Sequence, residues 1–293
     1  MINPFADAIV GFGQNASNYN KAEEGDYQND EGLLVCGKCH TPKQTDVEMF
    51  GRTVRVACMC DCKAQEVNRL EEEQRAKQRK LALEEFRRYV AFPNEKMTTW
   101  TFENDDGNNP KLTQIAKNYV ERFEEYRQKS QGLLLSGGVG TGKSYISVCI
   151  ANALIDKGYT AMLTSIPRIE RQLRDDFEGA EDLIKSINNN DLVILDDFGT
   201  ERSTEYMNEI VISIINSRYE SGKPLIVTTN LKANELRNPQ DIAKDRVYSR
   251  LVEMCIYCGV QGVDRRRAKA KQMYREQAKE LAILNNGGNN NEE

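Results

Sequence analysis

The eight residues GGVGTGKS, from Gly137 to Ser144, constrain the fold of this chain more than any other stretch. They fit the pattern G-x-x-x-x-G-K-[S/T], and they stand between an apolar run, GLLL, and a helix-forming run, YISVCIANALI. The glycines let successive backbone N–H groups turn toward phosphate oxygens, and the helix N-terminus adds its dipole. The sequence therefore predicts a strand, a phosphate-binding loop and a helix, which together bind a nucleotide.

The loop supplies most of the side chains and amides that we expect to contact ATP. Lys143 would neutralise the β- and γ-phosphates, and the Ser144 hydroxyl would hold Mg²⁺. The loop residues predicted to bind the nucleotide are Gly137, Gly138, Val139, Gly140, Thr141, Gly142, Lys143, Ser144 and Tyr145.

Two further apolar runs end in polar residues that could take part in ATP hydrolysis. In LVILDDFGTE, Asp196 suits a magnesium carboxylate and Asp197 suits the polarisation of an attacking water. The pair could instead form a helix cap or a turn. Many ATPases have glutamate where Asp197 stands, and its shorter side chain predicts slow hydrolysis. The run PLIVTTN ends on Asn230, whose amide could orient the same water, although asparagine also ends strands for turn reasons.

Arginines occur in two groups after these runs. DRVYSRL places Arg246 and Arg250 on one helical face, where they suit either a γ-phosphate in a neighbouring subunit or a solvated helix surface. GVDRRR places three arginines, Arg265 to Arg267, at the start of the last helix, and one of them could sense the nucleotide from the same chain.

Short apolar runs alternate with helical stretches from about residue 97 onward. Strands are predicted at GLLLS, TAMLTS, DLVILDD and PLIVTTN, and helices between them. Strands of four to six apolar residues separated by helices indicate a parallel sheet that is covered on both faces. The fold class is therefore α/β, with a phosphate-binding loop and a parallel sheet flanked by helices.

Composition divides the chain into five parts. The start is polar and predicted to be flexible, a cysteine-rich module follows, and then comes a long charged helix with few apolar positions, which favours a solvated linker. MTTWTFENDDGNNP, from Met97, predicts a short strand-like piece and a turn at the start of the nucleotide-binding domain. The predicted boundaries are 1–30, 31–62, 63–96, 97–280 and 281–293, the last part being low in complexity and predicted to be disordered.

Composition and charge exclude several classes of protein. The chain has 29% charged residues, no apolar run near the length that crosses a bilayer, and no basic leader, so we expect a cytoplasmic protein with no membrane partner. The net charge of −5 argues against wholesale coating of nucleic acid, but DRRRAKAKQMYREQAK is locally basic. Five of the eight cysteines fall between Cys36 and Cys62, which is not the spacing of a disulfide framework.

The cysteine cluster predicts a structural zinc site. CGKCH and CMCDC supply thiolate pairs separated by a short loop, and an all-thiolate tetrahedral Zn²⁺ site leaves no open position for catalysis. Five cysteines compete for four places, and we favour the first four over the fifth in the list Cys36, Cys39, Cys58, Cys60 and Cys62. The alternatives are reduced packing cysteines and an iron–sulfur centre, while Cys149 and the Cys255–Cys258 pair are expected to pack in the core.

Taken in order, WTFENDDGNN, GLLLSGGVGTGKSYISVCIANAL, LVILDDFG, PLIVTTN, DRVYSRL and GVDRRR resemble an AAA+ ATPase of the DnaC/DnaI/IstB-like group of helicase loaders. The resemblance covers roughly residues 97–275. It implies that Arg246 or Arg250 is the finger that acts on a neighbouring subunit, and that Arg266 is the same-chain sensor. It also implies ATP-dependent self-association, binding of single-stranded DNA, and delivery of a hexameric replicative helicase, with the zinc module contacting that helicase.

Three functions remain open on these grounds. The leading one is an ATPase, slow and stimulated by DNA or a partner, that loads a replicative helicase. The second is an IstB-like transposition helper that polymerises on double-stranded DNA, and the zinc cluster favours the loader over it. The third is a nucleotide-switched DNA-binding module with negligible turnover, because Asp197 stands where many ATPases have glutamate. A small-molecule kinase would leave the arginine groups unexplained.

Overall fold

The computed structural model describes residues 22–49, 51–175, 179–199, 205–237 and 242–287. The described residues form two compact units, the first ending at Leu81 and the second beginning at Ala82. Residues 1–21 and 288–293, which belong to the segments predicted to be flexible and disordered, lie outside the described residues. Within the ranges above, no helix is both long and apolar enough to cross a membrane.

The first unit consists of two small antiparallel ribbons followed by a helix. Strand β1 (Tyr27–Gln28) pairs with β2 (Leu34–Val35), and β3 (Gln44–Met49) pairs along its whole length with β4 (Arg52–Ala57). The buried Lys43 ammonium donates to Asp26 at 2.6 Å and lowers the pKa of that carboxyl to about 2. Part of the stretch 1–30 therefore belongs to this unit.

Helix α1 (Asp61–Phe86) is the long charged helix of the sequence, and none of its residues is buried. Its surface carries ion pairs one turn apart, such as Arg69 with Glu73 at 2.8 Å. A five-residue π-helical turn, Arg87–Ala91, follows it. Because Ala91 and Phe92 are buried in the core of the second unit, the predicted boundary at residue 97 lies inside that unit.

The second unit is built on a five-stranded parallel sheet, as the sequence predicts. Its strands are β5 (Gly132–Gly137), β6 (Ala161–Ser165), β7 (Leu192–Phe198), β8 (Leu225–Thr229) and β9 (Cys255–Val260), and their order across the sheet is β6-β7-β8-β5-β9. All neighbouring pairs are parallel, so the carboxyl ends of the strands share one edge. The polar residues that follow β5, β7 and β8 therefore meet at that edge.

Helices cover both faces of the sheet. In β5, Leu133 and Leu135 pack into one apolar core and Leu134 into the other, which is the alternation of a strand buried on both sides. Cys149 is fully buried in the first core, as expected. The helices of this unit are α2 (Pro110–Glu121), α3 (Phe123–Gln128), α4 (Lys143–Asp156), α5 (Ile166–Asp175), α6 (Ala180–Asn189), α7 (Glu205–Ser221), α8 (Ala233–Arg237), α9 (Ile242–Met254) and α10 (Arg265–Gly287).

The start of this unit differs from the sequence prediction. The prediction of a strand-like piece from Met97 is wrong, because a short 3₁₀ helix, Glu95–Thr99, occupies the start of that stretch. The amide nitrogen of Asn152, on α4, donates at 2.9 Å to the carbonyl oxygens of Met97 and Trp100. Hydrogen bonds from a helix side chain thus satisfy this backbone in place of a strand ladder. Helix α10 includes residues 281–287, the first part of the segment predicted to be disordered.

We expect Arg218 to be one of the largest single contributors to the stability of the second unit. Its side chain is fully buried, and its guanidinium donates to four backbone carbonyls, those of Asn188, Asn190, Asp191 and Pro224. Burial lowers the pKa of Arg218 to about 10, but a guanidinium of that pKa still carries its charge at neutral pH. Arg218→Met would remove this shared donor, leaving, among the described residues, only the Asn188 carbonyl with a second side-chain donor, Lys223, and should lower the free energy of unfolding by about 3 kcal/mol.

Thermal and urea unfolding measure this change. Arg122→Met is the matched control, since Arg122 is an exposed arginine between α2 and α3 that pairs with Glu125 on α3, and its replacement should cost less than about 1 kcal/mol. Equal effects of the two substitutions would contradict a structural role for the buried guanidinium.

Candidate functional site

The loop between β5 and α4 has a backbone that only glycine tolerates at two positions. Gly140 has φ +74° and Gly142 has φ +95°, both in the left-handed region. A Cβ atom on Gly140 would lie 2.1 Å from Oδ1 of Asp264, and one on Gly142 would lie 3.2 Å from the guanidinium carbon of Arg265. The loop is therefore a close-fitting cradle at the N-terminus of α4, as the sequence predicts.

Lys143 directs its ammonium group into this cradle. The side chain is buried, and Nζ donates to the carbonyls of Gly137 and Gly138 at 2.8 Å and to Oδ1 of Asn230 at 2.9 Å. Burial lowers the pKa of Lys143, while the carboxylates of Asp197 and Asp196 oppose that shift. The structure thus brings Lys143, Asn230 and the two aspartates to the same edge of the sheet.

The two aspartates at the end of β7 are held differently. Oδ1 of Asp196 accepts from the Thr228 hydroxyl at 2.6 Å, and that hydroxyl accepts from the backbone N–H of Asp197 at 2.9 Å. Asp197 has φ +55°, so the chain turns there and its side chain becomes solvent-accessible. Enclosure by the site and the neighbouring Asp196 carboxylate raise the pKa of Asp197, while Lys143 and Arg266 oppose the rise.

A cavity of about 460 Å³ opens beside the loop, within the range of small-molecule sites. Thirteen residues were predicted to bind or act on the nucleotide from the same chain, and ten of them line this cavity. Gly137, Gly138 and Asp196 do not line it; Gly138 lines an adjacent cavity, and the Asp196 carboxylate accepts from the Thr228 hydroxyl. The lining residues are Trp100, Asn104, Asp106, Val139, Gly140, Thr141, Gly142, Lys143, Ser144, Tyr145, Asp197, Asn230, Arg265 and Arg266.

Three lining residues, Trp100, Asn104 and Asp106, were not predicted as site residues, while Arg265 was one of the three arginines from which the sequence favoured Arg266. The Trp100 ring packs against Tyr145, with ring centroids 5.5 Å apart, and forms an aromatic wall. The Tyr145 hydroxyl donates to the carbonyl of Thr101 at 3.1 Å, so this wall is anchored to the segment before α2. The aromatic and acidic composition of WTFENDDGNN was a signal for these residues, but only the tertiary fold places the segment over the loop.

The start of α10 is joined to the phosphate loop. The backbone N–H of Arg265 donates to the carbonyl of Gly140 at 3.0 Å, and its guanidinium pairs with Asp106 at 2.9 Å. The Asp264 carboxylate caps the helix by accepting from the N–H groups of Arg266 and Arg267. Arg266, the predicted same-chain sensor, lines the cavity beside Lys143.

The two arginines of α9 do not line the cavity of their own chain. Arg250 is half-buried, donates to Oδ1 of Asn216 and lies over the Tyr219 ring, 5.7 Å from its centroid. Arg246 is exposed.

In the first unit, four cysteine sulfurs converge. The Sγ atoms of Cys36, Cys39, Cys60 and Cys62 all lie within 4.8 Å of one another. Cys62 Sγ is 3.6 Å from Cys36 Sγ and 3.5 Å from Cys60 Sγ, close to the separation of about 3.8 Å that Zn–S bonds of about 2.3 Å impose in a tetrahedron. The donor set and its spacing fit Zn²⁺.

The preferred set of ligands is corrected by this geometry. Cys58, which the sequence favoured over Cys62, directs its thiol to the carbonyl of Pro42 at 3.4 Å and does not belong to the group. Cys58 ends the β4 side of the hairpin, whereas Cys60 and Cys62 lie where α1 begins and the chain turns toward Cys36. His40 also lies outside the group, with its Nδ1 3.3 Å from the Tyr27 hydroxyl.

Thr41 joins the two halves of the cysteine group. Its Oγ1 accepts from the backbone N–H of Asp61 at 2.9 Å and lies 3.1 Å from the Cys39 sulfur. The Thr41 hydroxyl, followed by the backbone N–H groups of Cys62 and Thr41, lowers the pKa of Cys39 to about 5. The local fold thus stabilises a thiolate at Cys39, the form in which cysteine binds metal.

Comparison with known proteins identifies relatives of this chain. Bacillus subtilis (strain 168) DnaI, named a replicative helicase loader, is 26% identical over 167 residues, or 54% of each chain. Escherichia coli (strain K12) DnaC, also named a replicative helicase loader, is 27% identical over 125 residues, or 41% of this chain and 50% of that protein. This chain spans about half the length of the curated relatives it matches.

Solved structures confirm the fold. A crystal structure of the DnaC helicase loader superimposes with a TM-score of 0.50 at 22% identity, covering 57% of this chain and all of the other. A putative primosome component from Streptococcus pyogenes serotype M3 gives a TM-score of 0.50 at 24% identity, covering 60% and 93%. Residues 62–272 match the sequence model of the IstB-like ATP binding protein family. The resemblance seen in the sequence is thus confirmed, and the chain belongs to the IstB-like ATP-binding proteins, with an AAA+ fold.

Proposed function

We propose that this protein is an ATPase that loads a hexameric replicative helicase onto single-stranded DNA. The observation that carries the proposal is the convergence of Lys143, Asp197, Asn230 and Arg266 on one cavity beside a glycine cradle. The relatives named replicative helicase loaders support the choice of client.

The residues of the cavity suit phosphoryl transfer to water. Ser144 Oγ and the Asp196 carboxylate would hold Mg²⁺, which supplies charge neutralisation at the phosphates when bound. Lys143 exchanges its contacts with the carbonyls of Gly137 and Gly138 for phosphate oxygens, and this releases Asn230 from the ammonium. Asn230 then orients a water molecule whose proton Asp197 accepts.

The raised pKa of Asp197 predicts the pH dependence of hydrolysis. A general base works only in its deprotonated form, so the rate should be constant at high pH and fall as the pH drops through the pKa of Asp197. Because that pKa is raised, the fall should occur at a higher pH than for an ordinary aspartate. Asp197→Asn should lower the rate by about 10²-fold or more and abolish this acidic limb.

Initial rates measured across pH at saturating ATP and Mg²⁺ test this assignment. Glu103→Gln is the control, because that carboxylate lies near the site but does not line the cavity. An acidic limb that survives in Asp197→Asn would assign the proton acceptor to another group.

We assign the first unit the role of a zinc module that contacts the helicase, within the predicted range 31–62. Its four thiolates would enclose Zn²⁺ completely, and no open position would remain for catalysis. The metal would then stabilise a segment that has few buried apolar side chains of its own, among them Leu33 and Val35. The predicted 63–96 segment would connect this module to the ATPase domain.

A binding experiment separates the loader from the transposition helper. The immobilised full chain is incubated with ATP, Mg²⁺ and either a purified hexameric replicative helicase or an IS21-type transposase with duplex DNA. Retention of the helicase supports the loader, and retention of the transposase alone contradicts it. A steady-state hydrolysis rate indistinguishable from zero, with and without DNA, would instead support the nucleotide-switched module.

A further inference from the structure

Helix α10 carries a concentration of positive charge, most of which lies outside the nucleotide site. Residues 265–279 contain seven basic side chains and one acidic one, in a chain whose net charge is −5. Arg265 and Arg266 line the nucleotide cavity. Among the described residues, Lys271 and Arg275 form no ion pair, and both are exposed.

Three of the basic residues and one tyrosine lie on the same side of the helix. At 3.6 residues per turn, Arg267, Lys271, Tyr274 and Arg275 fall within about 100° of arc. From Arg267 to Arg275 the helix rises through eight residue steps, or about 12 Å. Lys269 lies on the opposite side. We call the four residues of this face the α10 stripe.

Tyr274 gives the stripe an aromatic member. It is 72% exposed, which is unusual for a large aromatic side chain that serves only as packing. An exposed ring flanked by two cations offers a stacking surface for an unpaired base together with contacts for the adjacent phosphates. Paired bases are already stacked in a duplex and could not use this ring.

We propose that the α10 stripe binds the backbone and an unpaired base of a single-stranded nucleic acid. The inference rests on the proposed function, which requires a single-stranded DNA partner, and it assigns that partner to a surface. The helix begins at Asp264 and Arg265, which contact the phosphate loop through the Arg265 N–H and the Gly140 carbonyl. Strand binding along α10 would therefore be continuous with the nucleotide site.

Fluorescence anisotropy with labelled oligo(dT), in ATP and Mg²⁺ at several salt concentrations, tests the proposal on the full chain. Lys271→Gln and Arg275→Gln should each make the salt dependence of log K shallower by about 0.7, the value for one phosphate contact on a single strand. Tyr274→Ala should weaken binding about fivefold or more without changing that slope. With a duplex of the same length, the effect of Tyr274→Ala should disappear.

Two variants of the same helix serve as matched controls. Lys269→Gln removes the same charge from the opposite side, and Met273→Ala removes a half-exposed side chain adjacent to Tyr274. Both should bind oligo(dT) like the wild type, and basal hydrolysis should be unchanged in all five variants.

Each contrary result would overturn a different claim. If the wild type binds oligo(dT) and Lys271→Gln behaves like Lys269→Gln, the stripe is overturned and the proposed function stands. If Tyr274→Ala weakens duplex binding equally, the assignment to unpaired bases is overturned. If the wild type binds no oligo(dT), the proposed DNA partner is overturned together with the stripe.

Discussion

Arg250→Ala is expected to lower the rate of ATP hydrolysis by about 10³-fold or more, the range found for arginines that a neighbouring subunit supplies to a γ-phosphate. Arg250 does not line its own cavity, yet its guanidinium is held by Asn216 and the Tyr219 ring. A guanidinium that is already positioned contributes more to a transition state than one that must be ordered first. Steady-state hydrolysis measured above the concentration at which subunits associate gives the effect.

Arg246→Ala is the matched control for this prediction. Arg246 lies one turn away on the same helix, carries the same charge, and is exposed. Its replacement should change the rate by less than about tenfold, since it lacks the fixed position of Arg250. The reverse order, with Arg246→Ala the more damaging variant, would assign the finger to Arg246. ATP binding should survive in both variants, because the cradle and Lys143 are unchanged.

Cys62→Ser is expected to remove the metal from the first unit and unfold it. Structural Zn²⁺ contributes about 10–16 kcal/mol to small zinc-dependent peptides, more than a segment of this size can replace. The protein should lose stoichiometric zinc by elemental analysis, and amides between β1 and β4 should lose protection from hydrogen exchange. ATP binding by the second unit should be retained.

Cys58→Ser separates the metal site from a general effect of losing a thiol. Its sulfur contacts the Pro42 carbonyl and lies outside the four-sulfur group, so this variant should keep its zinc and its protection. Loss of zinc in Cys58→Ser with retention in Cys62→Ser would restore the ligand set favoured by the sequence. Iron with a visible absorption band, in place of zinc, would identify an iron–sulfur centre.

The parts of the site predicted from sequence are those governed by local chemistry. The glycines of the loop and Lys143 act within eight consecutive residues, and their backbone requirements are visible in the spacing alone. Asp196 and Asp197 lie near the carboxyl end of β7 and Asn230 follows β8, and the carboxyl ends of parallel strands meet at one edge. A sequence pattern that identifies the strands therefore also brings these side chains together.

The parts that were missed depend on contacts between distant segments. Trp100 and Asp106 reach the cavity because Asn152 and Arg265 hold their segment over the loop. The same hydrogen bonds explain why a 3₁₀ helix replaced the predicted strand at Met97. In the cysteine module, Cys58, Cys60 and Cys62 alternate along the sequence, so their spacing does not show which two of them join Cys36 and Cys39. The turn into α1 brings Cys60 and Cys62, and not Cys58, to that pair.

Subunit mixing tests most directly whether this protein is an ATPase whose sites are completed by a neighbour. Lys143→Ala lacks the proposed phosphate contact but keeps Arg250, and Arg250→Ala keeps the cradle but lacks the proposed finger. Each variant alone should be inactive with or without single-stranded DNA, and a mixture should recover hydrolysis that the DNA stimulates. A mixture as inactive as its components, or an Arg250→Ala protein as active as the wild type, would contradict a composite site.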